Sequence, residues 1–118
     1  MKKTALVTHE ECLQHVTPPG HPEQVARLEY ILEALKDINL LRVSAPMAAD
    51  DDILRIHPRE HINYLQDAVP ETGFKSLDGD THISSGSLTA AYRAAGGVLR
   101  AVDLVLSGEA KNAFVAVR

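Results

Sequence analysis

Two periods of apolar residues alternate along this chain, and the switches between them mark its elements. Residues 4–8 (TALVT) form a short β-branched run between charged residues, which predicts a buried strand. From Pro22 the period lengthens: Val25, Leu28, Ile31, Leu32 and Leu35 fall at helical spacing, and Pro22 suits a first helical turn, so an amphipathic helix is expected to about Lys36. LLRVSAP, from residue 40, predicts a second short strand, and Asp50, Asp51 and Asp52 are placed to cap a short helix after it. A further helix is framed by Pro58 and Pro70, with Ile62, Leu65 and Val69 on one face.

Residues 71–87 (ETGFKSLDGDTHISSGS) lose the period and fill with turn formers, predicting a long surface loop of the kind that often carries function. Leu88, Ala91, Tyr92, Ala95, Leu99, Val102 and Leu106 then restore helical spacing, with Ser84 or Ser85 as the expected cap and Gly108 as the stop. The middle of that helix is thin, with Ala94, Ala95, Gly96 and Gly97 in succession. Such a stretch suits close packing on a sheet, although each glycine costs about 1 kcal/mol relative to alanine. NAFVAV predicts a last strand before Arg118. Strands alternating with helices imply parallel strands joined by crossovers, so the fold class is α/β, and ligand sites of such sheets gather at the carboxyl ends of the strands. The third strand reaches its carboxyl end at the last residues of the sequence.

Composition narrows the picture. At 118 residues the chain is read as a single domain, 1–118, and with 45% apolar but only 4% aromatic residues its core is expected to be Leu, Val, Ile and Ala. A formal charge of −4 with scattered Lys and Arg argues against nucleic acid as a ligand. One cysteine excludes an intramolecular disulfide framework. MKKTALVTHEE reaches acidic residues before any apolar run long enough for a signal peptide or membrane span, so the expectation is a soluble cytoplasmic protein without membrane partners.

Candidate chemistry concentrates in HEECLQHVTPPGHPE, residues 9–23, which holds three of the six histidines, the only cysteine and three of the six prolines. His9, Cys12, His15 and His21 are all able to bind zinc, yet their spacing matches no common template, and whether they converge is left open beside a proline-stiffened loop whose histidines bond to backbone. Arg27 lies between apolar positions of the first helix, where a snorkelling side chain is the default. His57 and His61 share a face without the glutamate of an H-E-x-x-H site, so a surface or capping role is expected. Asp78 and Asp80 lack the further oxygen ligands of a calcium loop and read as turn carboxylates. Ser85-Gly86-Ser87 lacks the surroundings of a nucleophile elbow and reads as helix capping.

Taken in order, THEECLQHVTPPGHPEQVARLEYILEAL and DGDTHISSGSLTAAYRAAGGVLRAVDLVLSGEAKNAFVAVR resemble the amino-terminal part of the histone deacetylase family, especially its bacterial and class II-like members. The resemblance implies a three-layer parallel-sheet fold of the arginase/deacetylase type and a zinc-dependent amidohydrolase acting on acetyl-lysine or acetylpolyamine amides. It places GHPE, with His21, at the pocket rim, gives Asp80 the part of a rim aspartate that accepts hydrogen bonds from substrate backbone, and sets Arg27 along an internal channel. In that family VR continues into a P-P-G-H-H segment carrying the two acid/base histidines, and the zinc ligands and an oxyanion-stabilising tyrosine lie later still. No residue of these 118 matches those roles, so neither a catalytic residue nor a metal ligand is assigned here. Zinc is expected in the complete family domain rather than on this chain alone, and the chain alone is expected to be inactive, with either a missing carboxyl-terminal portion or a homo-oligomer formed through an exposed sheet edge.

Overall fold

The computed structural model describes residues 2–118. Three parallel strands, β1 (Thr4–Thr8), β2 (Leu41–Ser44) and β5 (Asn112–Val115), form a sheet in the order β2-β1-β5, with Ala5 opposite both Leu41 and Ala113. The first strand of the sequence therefore lies in the centre, where both its edges are paired. Its three middle residues are buried from both faces, as a continuous apolar strand requires.

Successive side chains of β1 point to opposite faces and meet different helices. Leu6 packs with Cys12, Leu28 and Ala116 beneath α1 (Val25–Leu35), joined by Ile31, Leu32 and Leu35 from the same helical stripe. Ala5 and Val7 pack with Ala45, Ala101 and Leu104 beneath α4 (Ser87–Leu106). Helix, sheet, helix is the three-layer arrangement that the family resemblance implies. Complete burial of Leu6, Leu28 or Leu104 contributes about 1.5–3 kcal/mol each.

The glycines of α4 are explained by contact distance. A Cβ on Gly96 would lie 1.9 Å from the carbonyl oxygen of Pro46, and one on Gly97 would lie 3.1 Å from the Ala45 Cβ. Only a helix without side chains at these two positions approaches the end of β2 so closely.

Several boundaries differ from those expected, each for a local reason. Helix α1 begins at Val25 with Gln24 as its cap, because the peptide around Pro22 is held by the His21 turn described below. Its far end is closed by Arg42 of β2, whose guanidinium donates to the carbonyls of Leu35, Lys36 and Ile38. In α2 (Asp50–Ile53) only Asp52 caps, accepting from the Ala49 N–H at 3.0 Å. Asp50 instead accepts from the Tyr92 hydroxyl at 2.6 Å and from Arg59 at 2.8 Å, tying α2 to α4 and to α3 (Arg59–Ala68).

The 71–87 stretch is not wholly loop. Two short antiparallel strands, β3 (Lys75–Ser76) and β4 (His82–Ile83), make a hairpin whose turn is fixed by Asp78, which accepts from the N–H groups of Asp80 and Thr81 at 2.9 and 2.8 Å. Helix α4 starts at Ser87, after the serines expected to cap it. Ser84 and Ser87 bond to each other instead, the Ser84 N–H donating to Ser87 Oγ at 2.7 Å. Among the described residues no helix is long and apolar enough to cross a membrane.

Candidate functional site

The carboxyl end of β1 leads into a single 3-10 turn (Glu10–Gln14) and then the proline-rich loop, and the carboxyl end of β5 leads to Arg118. The hairpin turn at Asp80 and the first turn of α4 close the same region. Together they enclose a cleft of about 330 Å³ whose walls include His15, His21, Glu23, Asp80, His82, Ser87 and Arg118. Its position is where parallel α/β sheets collect ligands.

His21 and Asp80, 59 residues apart in sequence, meet there. His21 Nδ1 accepts from the Glu23 N–H at 3.1 Å, which fixes the turn made by Gly20, His21 and Pro22. The other ring nitrogen, Nε2, lies 3.0 Å from Asp80 Oδ1. The His21 side chain is 17% exposed and that of Asp80 is 94% exposed, so the aspartate stands out at the mouth of the cleft with the histidine behind it. His82 packs edge-on against His21, with ring centroids 5.5 Å apart.

Behind this pair is a second polar group. Arg118, its side chain 1% exposed, donates Nε–H to Glu23 Oε1 at 3.1 Å, a second N–H to Glu23 Oε2, and a third to the His15 carbonyl at 2.5 Å. A two-point guanidinium–carboxylate contact gives direction as well as charge pairing. Hydrogen bonding from Arg118 holds the Glu23 carboxyl below the usual glutamate range. His15 Nδ1 is 2.6 Å from Ser87 Oγ, and its Nε2 is 3.8 Å from Glu23 Oε2. Burial, reinforced by the Arg118 charge, pushes the His15 imidazole below the ordinary histidine range.

The four metal-capable side chains of the 9–21 stretch do not converge. His9 Nδ1 accepts from the Glu11 N–H, Cys12 is sealed in the core beneath α1 where burial raises its thiol, His15 faces Ser87, and His21 faces Asp80. Among the described residues no three His, Cys, Asp or Glu side chains are arranged to hold a metal ion. The donors present therefore do not fit zinc.

Of the residues singled out from sequence, His21 and Asp80 are brought together, and Arg27 stands apart. Arg27 is half-exposed on α1 and reaches back one turn to Glu23 Oε1 at 3.3 Å, outside the cleft walls. Its contact with Glu23 ties α1 to the same carboxylate that holds Arg118. Glu23, Arg118 and Ser87 were not legible as site residues. The signals present were an acid two residues after His21 and a cation directly following an apolar strand.

A parallel α/β sheet with a polar cleft at the carboxyl ends of its strands has the architecture of a ligand-binding domain. The histone deacetylase domain model matches residues 21–118, and the chain belongs to that family. It is 35% identical over 121 residues to a protein named probable deacetylase from Archaeoglobus fulgidus, covering 98% of this chain and 33% of the relative. It is also 35% identical to a histone deacetylase-like amidohydrolase of Pseudomonas aeruginosa, covering 96% of this chain and 35% of that protein. The crystal structure of the HDA15 HD domain superposes with a TM-score of 0.86 at 24% identity, over 98% of this chain and 35% of that one, which shows the fold. The chain thus spans about a third of the length of these relatives.

Proposed function

We propose that residues 1–118 are the amino-terminal part of a cytoplasmic, zinc-dependent amidohydrolase domain that removes acetyl groups from lysine or polyamine amides. In this reading they supply the substrate rim and no reacting group. The observation that carries it is the His21–Asp80 pair at the mouth of the cleft, formed at the strand ends of a chain that belongs to the deacetylase family. Asp80 keeps one carboxylate oxygen on His21 and has the other for N–H donors of an arriving substrate. Because no metal-ligating side chains converge among the described residues, this reading assigns the metal, and with it the acid/base groups, to the rest of the domain.

Acetate release from an acetyl-lysine peptide and from an acetylated polyamine, with zinc supplied, tests this reading on the 118-residue chain and on the product read past codon 118. The chain alone is expected to release none. A product that continues into a Pro-Pro-Gly-His-His segment is expected to be active, and Asp80→Ala in it to raise KM about 10-fold, the loss of one hydrogen bond to a charged group. Acetate release by the 118-residue chain contradicts the proposal.

A second reading is favoured by the sheet edge. β5 pairs on one side only, Phe114 on it is 49% exposed, and Val98, Val102 and Leu106 are exposed on α4. Edges and apolar faces of this kind support self-association. A stop codon directly after Arg118, with a dimer by light scattering, would establish an assembly module in place of an enzyme segment.

A further inference from the structure

We infer that Glu23 is a positioning residue that sets the tautomer of two of the three cleft histidines, His21 through its backbone N–H and His15 through its carboxylate. The inference rests on the proposed function only for the role of the cleft.

Neutral imidazole has one N–H and one lone pair, and its neighbours decide which nitrogen carries which. At His21 the backbone N–H of Glu23 points at Nδ1 from 3.1 Å. A donor there requires the lone pair on Nδ1, so the proton sits on Nε2, where Asp80 Oδ1 accepts it at 3.0 Å. The tautomer thus commits Oδ1 of Asp80 to His21 and orients the carboxylate at the rim.

At His15 the choice has two sides. Ser87 Oγ, 2.6 Å from Nδ1, is able either to donate or to accept, while already accepting the Ser84 N–H at 2.7 Å. The Ser84 hydroxyl accepts from the Val16 N–H at 3.0 Å and donates to the Gln14 carbonyl at 3.2 Å, so its proton is already used. Nothing on the serine side therefore forces a direction. On the other side Glu23 Oε2 stands 3.8 Å from Nε2, and a lone pair there would face a carboxylate. The carboxylate selects Nε2–H, and the Ser87 hydroxyl must donate to Nδ1. Arg118 and Arg27 fix the carboxylate in this place from two other elements. One residue in the loop after β1 therefore imposes the same tautomer on two rings, at the rim and at the start of α4.

Long-range proton–nitrogen correlation spectra of the full 118-residue chain, labelled with 15N-histidine and recorded at about pH 8 where an unperturbed imidazole is neutral, read the tautomers directly. Both His15 and His21 are expected to show protonated Nε2 and bare Nδ1. In Glu23→Gln the side-chain amide keeps its oxygen on Arg118 and turns its NH2 toward His15, so His15 is expected to switch to Nδ1–H. His21, held by backbone, is expected to stay as it was. A protonated Nδ1 on either ring of the parent chain overturns the inference, as does an unchanged His15 in a folded Glu23→Gln chain. Should that variant unfold, Ser87→Ala decides: the retained Glu23 carboxylate keeps His15 as Nε2–H, and a switch to Nδ1–H shows that the serine had set it. Asp80→Ala separates this inference from the substrate reading. An unchanged KM in the complete enzyme would defeat the rim role of Asp80, whereas both tautomers are expected to survive the substitution.

Discussion

Two histidine pairs lie on either side of Ala91, and only one of them is built into a network. His57, which lies before the Pro58 cap of α3 and so does not share a helix face with His61 as its spacing had suggested, stacks on His61 of the first turn with centroids 4.5 Å apart, beside a small apolar cavity lined by Ile62, Leu65 and Leu88. Both rings are exposed. His15 and His21, six apart on an irregular loop, each face a carboxylate and are each fixed at the second nitrogen by a neighbour. Closeness in sequence brought the His57 and His61 rings together, while the irregular loop produced directed polar contacts with groups 59 to 103 residues away. Neighbours in sequence meet across a single turn, whereas distant partners have to be brought in by the fold.

Substitutions should separate the two pairs sharply. The largest effect is expected from Glu23→Ala, which leaves the Arg118 guanidinium buried without its counter-charge. Removing one member of a buried pair costs 3–5 kcal/mol, and the partial exposure of Glu23 places this case at about 3 kcal/mol or less, measured by denaturant unfolding. Gly96→Ala, on the other face of the sheet from α1, tests whether close helix–sheet contact matters as much. Its Cβ meets a backbone carbonyl rather than a flexible side chain, and a loss of about 1–3 kcal/mol is expected. His57→Ala and His61→Ala should change stability by no more than about 0.5 kcal/mol, and a loss as large as that of Glu23→Ala would erase the contrast between the pairs.

Acid should act on the built cluster in two steps. The His15 imidazole is pushed down in the fold, so the neutral ring contributes stability above the unfolded-state value, about 6.5, and that contribution is lost as pH falls through the lower folded value. The Glu23 carboxyl is also held down, so its contribution persists above about 4.3 and is lost as pH falls below that. Melting temperature should therefore decline below about pH 6.5 and more steeply below about 4.3, with the upper step missing in His15→Asn. The smallest effect is expected from Asp80→Asn, which should leave the melting temperature unchanged because that side chain is almost fully exposed.

Much of this fold was legible in the sequence for a simple reason. The apolar periods of residues 4–8, 25–35 and 88–106 report burial, and burial decides the three layers. The paired glycines of α4 likewise announced close packing, although not its partner, the carbonyl of Pro46. What period and composition left out were contacts between irregular segments. Nothing in TPPGHPE indicates that His21 reaches Asp80; only the resemblance to the deacetylase family placed both at a rim. Arg118 gave still less, since a cation after an apolar strand is ordinarily solvated, and its burial comes from Glu23 arriving from another loop. The serine caps expected at Ser84 and Ser85 failed for the same reason: the 9–24 loop packs over the start of α4 and takes the Ser84 hydroxyl for its own backbone.

In the proposed function these residues build a substrate rim and its support, and the reacting groups of the deacetylase reaction lie elsewhere in the domain. Acetate release from an acetyl-lysine peptide by the purified 118-residue chain, measured with and without added zinc, tests it most directly. No release is expected in either condition. Zinc-dependent turnover that disappears on addition of a chelator would contradict it, because a chain whose donors do not converge on a metal would then be shown to assemble a working site.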